Sequence, residues 1–116
     1  MLSLGQRGER KAARLLRRMG MRIIRRNYKS PPGEVDIIAM DGDTLVFVEV
    51  KTRKGTAFGS PLEAVDGRKQ KRLTGAALFY LSGLTDPPPA RFDVITIVIN
   101  GWRSEIEHIP DAFGLQ

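Results

Sequence analysis

The 116 residues are 41% hydrophobic and contain no cysteine, which suits one globular domain with a modest core and excludes disulfides and thiolate metal sites. No window approaches the roughly 18–20 apolar residues of a membrane helix, and no apolar leader follows Met1, so the expected location is the cytoplasm, with no membrane partner. The net charge of +6 is unevenly spread: residues 1–29 hold ten Lys and Arg against Glu9 alone, whereas residues 73–116 hold Arg91 and Arg103 against Asp86, Asp93, Glu105, Glu107 and Asp111.

Ser3 followed by Gln6 is a capping-box signature, and Gly20 suits a helix stop, so the first element is predicted as a helix between them. On a 3.6-residue wheel Gly5, Gly8, Ala12, Leu15, Leu16 and Met19 share one side. Arg7, Arg10, Lys11, Arg14, Arg17 and Arg18 share the other. Glu9 points with Ala12, Ala13 and Leu16 toward the apolar side, where a carboxylate is costly unless paired or metal-bound. Periodicity leaves two readings of Glu9 open: a pairing with Arg10 or Arg17, or a place in a functional site.

Met21–Asn27 reads as a short strand, and Tyr28 to Gly33 as a loop. Val35–Met40 and Thr44–Thr52 are rich in β-branched and aromatic residues, which marks two more strands. Asp41-Gly42-Asp43-Thr44 between them suits a tight hairpin, with Gly42 and Asp43 tolerating positive φ. If Asp41 faces Thr44, then Met40 meets Leu45, Ile38 meets Phe47, Asp36 meets Glu49 and Glu34 meets Lys51. A period of two puts all four charged residues on one face. Both strands are apolar on each side, as central covered strands are, so charges at their end line a cleft.

Opposed carboxylates call for something positive between them, and magnesium or manganese is the natural candidate. Such an ion can polarise a phosphodiester and acidify bound water, while Lys51 orients the water or neutralises charge on the phosphate. The parts suit metal-assisted phosphodiester hydrolysis. A salt-bridge ladder of Glu34 with Lys51, with Asp36 and Glu49 merely solvated, remains open on spacing alone.

Arg53–Gly59 is a polar loop beside that cleft. Ser60-Pro61-Leu62-Glu63 is a strong helix start, and the helix is predicted to run to Leu81 with a break near Asp66-Gly67. Leu73, Ala76, Ala77, Phe79, Tyr80 and Leu81 form its apolar side, and Lys69 and Gln70 are within reach of the cleft. Arg68, Lys69, Lys71 and Arg72 make a second basic cluster; Lys51, Arg53 and Lys54 make a third. Three clusters around a carboxylate site point to a polyanion, nucleic acid above all. The candidate contacts are Arg7, Arg10, Lys11, Arg14, Arg53, Lys54, Arg68, Lys69 and Arg72.

Thr85 to Pro89 is a rigid linker. Phe92–Ile99 is a strongly β-branched strand, and Asn100-Gly101 signals a hairpin into Trp102–Ile109. Asp93 is expected to be solvated at a strand end, Trp102 to pack at a sheet edge, and His108 to sit on a polar edge face. The order is helix, three strands, helix, two strands.

That order, with acids on the second and third strands, resembles the restriction-endonuclease-like fold of the PD-(D/E)XK nucleases. Asp36 matches the motif's first aspartate and Glu49-Val50-Lys51 its (D/E)-x-K, although Val35 stands where proline often precedes. The resemblance implies an αβββαββ chain with a mixed central sheet flanked by helices. It also implies that Asp36, Glu49 and the Val50 carbonyl hold magnesium or manganese while Lys51 assists attack. Glu9 falls where archaeal Holliday-junction resolvases carry an acid on the first helix, which extends the metal site to it.

Nearly the whole chain also resembles the bacterial YraN family, through Gly33-Glu34-Val35-Asp36-Ile37-Ile38-Ala39, Val46 to Arg53, Lys69-Gln70, Arg91-Phe92-Asp93-Val94 and Asp111-Ala112-Phe113. Glu34, Lys69 and Gln70 then become supporting residues of the site. The implied activity is magnesium-dependent endonuclease-like cleavage of structured or branched DNA. A non-catalytic nucleic-acid-binding module, or an adaptor in a DNA-processing complex, is the alternative. Resolvase-like enzymes cut as dimers, so the analogy extends to a homodimer.

Overall fold

The structure, a computed structural model, describes residues 1–55 and 65–114. Its elements are α1 (Leu4–Arg18), β1 (Arg22–Lys29), β2 (Glu34–Asp41), β3 (Thr44–Lys54), α2 (Gly67–Ser82), β4 (Ala90–Asn100) and β5 (Arg103–Phe113). This is the αβββαββ order expected from the sequence. The strands form one sheet in the order β1-β2-β3-β4-β5. Only β3 and β4 run parallel, as a connection through a helix requires. The helix start at Ser60 to Glu63 and the end of the loop before it lie outside the described residues.

α1 carries its predicted capping box between Ser3 and Gln6. It ends in a Schellman turn, with Gly20 N–H on the Arg17 carbonyl, Met21 N–H on the Leu16 carbonyl and Gly20 at φ +91°. Its buried stripe is Gly8, Ala12, Ala13 and Leu16, and Met19 stands outside it. α2 begins at the predicted break, where the Asp66 carboxylate caps the Lys69 N–H at 3.0 Å.

The two helices cover opposite faces of the sheet. Ile37, Ala39, Val46, Val48, Ile95 and Ile97 pack with Ala12 and Leu16 on the α1 side. Ile38, Leu45, Phe47 and Phe92 pack with Leu73, Ala76 and Ala77 on the α2 side. Each buried large aliphatic or aromatic side chain is worth about 1.5–3 kcal/mol, so β2 and β3, apolar on both faces, anchor the fold. Phe79, predicted for the apolar side of α2, is 49% exposed.

Several sequence-based boundaries move for identifiable reasons. β1 runs past Asn27 because Tyr28 is buried and packs edge-on against Tyr80, with ring centroids 5.3 Å apart. β3 continues to Lys54 because pairing with β4 reaches Lys54 and Ile99. In the first hairpin only Gly42 takes positive φ, at +60°, so Asp43 needs no special backbone. The second hairpin turns on Gly101-Trp102, one residue later than Asn100-Gly101, because Asn100 still pairs with Arg103. Trp102 therefore stands at the hairpin tip rather than packing at the sheet edge.

Asp93 and His108 also depart from expectation. Asp93 has no exposed surface. Its carboxylate accepts from Arg91 Nε at 3.0 Å and from the Asp111 N–H at 3.0 Å, and lies 2.7 Å from His108 Nε2. Arg91 also reaches Asp41 at 2.9 Å, joining the β2–β3 hairpin to β4. The β4–β5 register shifts between Phe92 and Val94, and Asp111 takes a positive φ of 49°. The carboxylate thus fastens an irregularity that would leave the Asp111 N–H without a ladder partner, which is why burial suits it better than solvation.

Removing that anion leaves the Asp111 N–H and His108 without their partner and Arg91 with Asp41 alone. Asp93→Ala is expected to cost about 3–5 kcal/mol in urea unfolding. A loss under about 1 kcal/mol, the worth of a surface pair, would show that the carboxylate does not hold this corner.

Candidate active site

The β2–β3 pairing follows the predicted register: Asp41 with Thr44, Met40 with Leu45, Ile38 with Phe47 and Ile37 with Val48. Continuing it would set Asp36 against Glu49 and Val35 against Val50. Instead the ladder stops. The Val50 N–H donates to Asp36 Oδ2 at 2.7 Å, so a carboxylate takes the bond that a β2 carbonyl would otherwise receive. β2 remains paired to β1 as far as Glu34, and β3 to β4 as far as Lys54. The sheet is therefore split along one seam, and the split begins at Asp36.

Two local features open the seam. Asn27, opposite Asp36 in the β1–β2 register, has φ +54°, a left-handed conformation that asparagine tolerates. Val35 packs on the α2 side with Tyr28 although Ile37 packs on the α1 side, so strict alternation fails at Asp36. Glu34 consequently faces Lys29 across β1 and is exposed. The expected pairing of Glu34 with Lys51, and the placing of all four charges on one face, do not hold.

The Asp36 and Glu49 carboxyl groups do meet, and Glu49 is hydrogen-bonded to Asp36. Burial first, then that hydrogen bond and the charge of Asp36, push Glu49 up to about 8, against the weaker opposing fields of Lys69 and Lys51. Burial and the neighbouring acid thus favour the protonated form of Glu49 at neutral pH. Lys69, from the first turn of α2, places Nζ 4.0 Å from Glu49. Lys51 contacts Lys69, and its affinity for a proton is lowered chiefly by that neighbour, then by burial and Arg53.

Glu9 approaches from α1. The helix lies close to β3 because Gly8 has no Cβ: one added there would collide with the Thr52 hydroxyl. Glu9 is half-buried; burial and then the charge of Asp36 raise its pKa, against Arg26 and a hydrogen bond from Asn27. The opposing cation is thus Arg26 of β1, not the Arg10 or Arg17 that helix spacing offers. Glu9 Oε1 is buried with no hydrogen-bond partner.

These features fit a hard cation at the seam. One acid is held protonated against its neighbour, and a third presents an unsatisfied oxygen nearby. Asp36, Glu49 and the Val50 carbonyl would hold the ion, and magnesium commonly binds through one or two carboxylates plus substrate phosphates. Among the described residues no three acids or histidines gather into a ready-made metal-binding group, so Glu9 flanks the pair rather than completing a closed set.

Of the supporting residues, Lys69 reaches the pair, whereas Gln70 bonds the Val65 carbonyl at 3.1 Å. Arg68, Lys71 and Arg72 line an open groove of about 650 Å³ with Pro32 and Gly67, on the outside of the same helical turn. Arg7, Arg10 and Arg14 on α1 and Arg53 and Lys54 on β3 are exposed, and Lys11 is half-buried. Asn27 and Arg26 were missed by the sequence reading; the signal available was an asparagine interrupting a strand pattern.

The arrangement is a mixed α/β sheet whose two central strands part at an acidic pair flanked by lysines. Residues 8–97 match the group described as Uncharacterised protein family UPF0102. Among similar chains, a UPF0102 protein of Syntrophotalea carbinolica is 49% identical over 113 residues, covering 97% of this chain and 92% of that one. Another, from Rhodococcus jostii, is 51% identical and covers 97% of both chains. A third, from Symbiobacterium thermophilum, is 52% identical over 95 residues, 81% of this chain and 80% of its own. The protein belongs to the UPF0102 family, the YraN group that the motifs resemble. No helix among the described residues is long and apolar enough to cross a membrane.

The raised proton affinity of Glu49 has a measurable signature. Glu49 is raised in the folded chain to about 8 from 4.5, so its contribution to stability is complete below 4.5 and is lost as pH rises toward 8. In metal-free buffer Glu49→Gln should match the wild type near pH 4 and become more stable above pH 8, by on the order of 3 kcal/mol. Thermal unfolding across that range checks it, and a pH-independent difference would dismiss the raised affinity.

Proposed function

We propose that this protein is a divalent-metal-dependent phosphodiesterase of nucleic acids, acting on structured or branched DNA. The observation that carries the reading is the Asp36–Glu49 carboxyl pair, held at the end of a split sheet with Lys69 at 4.0 Å and Lys51 beside it. A bound magnesium or manganese ion would supply Lewis acidity to the phosphodiester and to an attacking water.

The chain's own residues do the rest. Val50 N–H fixes Asp36 in one orientation, so the pair needs no rearrangement to present its oxygens. Lys51 and Lys69 bring positive charge to where a phosphate gains negative charge during attack. The lowered proton affinity of Lys51 suits it to position a water. The exposed cations of α1, β3 and α2 supply the electrostatic attraction for a long polyanion.

The exposed cations Arg7, Arg10, Arg14, Arg53 and Lys54 equally support one other reading, a nucleic-acid-binding module that keeps the scaffold without cleaving. It predicts binding that weakens steeply with salt and a calorimetrically silent magnesium titration.

Cleavage of four-way junction, flap and linear DNA with magnesium or manganese separates the two. Asp36→Ala and Glu49→Ala should abolish cleavage and the calorimetric metal signal. Lys51→Ala should lower cleavage roughly 100-fold or more while metal binding persists. Equal residual cleavage by all variants would sink the proposal.

A further inference from the structure

Trp102 is the sole tryptophan of the chain and is 89% exposed. It sits in a two-residue turn, with Gly101 at φ +65° before it and Asn100 paired to Arg103 around it. The Arg103 guanidinium lies over the indole, 5.3 Å from the ring centroid. A tryptophan so placed adds nothing to the core, yet it carries the largest flat surface available to a side chain.

The sheet register ties this tip to the candidate active site. β4 runs parallel to β3, with Glu49 beside Val94 and Lys54 beside Ile99, so the β4–β5 hairpin projects past the end of the strand that carries Glu49. From Val94 to Asn100 is six residues, roughly 20 Å at 3.3 Å each. That span matches about six stacked nucleotides at 3.4 Å apiece.

The surface between is graded in charge. Lys51, Thr96 and Glu107 are in register across β3, β4 and β5, and so are Arg53, Val98 and Glu105. Each row has a cation on β3, an uncharged residue on β4 and an acid on β5. A phosphate backbone is drawn to the β3 side and repelled from the β5 side, until Arg103 restores positive charge at the tip. Backbone cations leading to an exposed aromatic ring form the combination that grips unpaired nucleotides, where bases stack and phosphates follow the charge.

From these placements we infer that Trp102, backed by Arg103, is a stacking platform for an unpaired base of the nucleic acid whose backbone passes the Asp36–Glu49 seam. The inference rests on the nucleic-acid reading above and deepens it, since it selects substrates with single-stranded or junction nucleotides over continuous duplex. Bases inside a duplex are already stacked and have no free face to offer. Cleavage takes place at one end of the track and recognition of the unpaired base at the other.

The lone tryptophan makes the test direct. Metal-free protein in EDTA is titrated with oligothymidylate, a four-way junction and a blunt duplex, while oligonucleotide anisotropy reports binding and intrinsic emission reports Trp102. Emission should be quenched in step with binding for the oligothymidylate and the junction, and be unchanged by the duplex. Trp102→Ala should weaken oligothymidylate binding roughly tenfold and leave duplex binding as it was, with Trp102→Phe restoring most of the loss.

Binding with unaltered emission, or equal affinity for wild type and Trp102→Ala, overturns the platform. Emission that follows protein concentration without nucleic acid also overturns it, assigning the tip to contact between copies of the chain. Binding of none of the three nucleic acids overturns the platform together with the nucleic-acid reading. The two claims fail separately otherwise. A protein that cleaves with metal but ignores bound strands at Trp102 loses only the platform; one that stacks oligothymidylate but never cleaves loses only the phosphodiesterase.

Discussion

One hydrogen bond organises the centre of this protein, the Val50 N–H to Asp36 Oδ2 contact at 2.7 Å. A strand pair deep in a covered sheet cannot end without leaving backbone donors and acceptors unpaired, and an unpaired buried group costs on the order of 1–3 kcal/mol. The aspartate meets that demand with a side chain. It thereby lets β2 and β3 separate while each stays bonded to its outer neighbour, and the separation makes room for Glu49. Charge-assisted hydrogen bonds are stronger than neutral ones, which suits a bond that must replace a backbone ladder.

The rest of the fold keeps that seam in place. Apolar residues on both faces of β2 and β3 clamp the paired part of the strands between α1 and α2. Gly8 lets α1 settle against Thr52 and brings Glu9 to the acidic pair. Asp66 starts α2 where Lys69 can reach Glu49. At the far side of the sheet the Arg91–Asp93–His108 cluster ties β4 and β5 together and, through Asp41, holds the β2–β3 hairpin. The residues of the site stand on strands and helix starts.

The seam concentrates negative charge inside a basic protein. Burial and Asp36 raise the proton affinity of Glu49, and Lys69 and Lys51 oppose that rise from outside. A cation would exchange with a proton there, so affinity for metal and pH are linked at this position. The same arrangement explains why cations surround the acids without closing on them: Lys69 stands at 4.0 Å, at the outer limit of an ion pair, and leaves the carboxyl oxygens open to a further ligand.

Much of this was legible in the residues themselves. Alternating and two-sided apolar patterns, the Ser3–Gln6 cap, Gly42 and the register of the first hairpin are local or nearest-neighbour properties. They determined the element order, the meeting of Asp36 with Glu49 and the presence of Lys51 beside them. What depends on strands distant in sequence was decided only by tertiary structure. The ladder's early end, the flip of Val35, the left turn at Asn27 and the isolation of Glu34 from Lys51 appear only where β2 keeps its pairing to β1 and β3 its pairing to β4. Asp93 looked like a solvated strand end and His108 like a residue of a polar edge face, because the contacts of Asp93 with His108 and Asp111 span 15 and 18 positions of the chain. Trp102 looked like a packing residue because its type favours burial; a one-residue shift in the turn put it in solvent instead. Periodicity shows which residues face a core, but burial of a charge and exposure of an aromatic depend on which other strand arrives beside them.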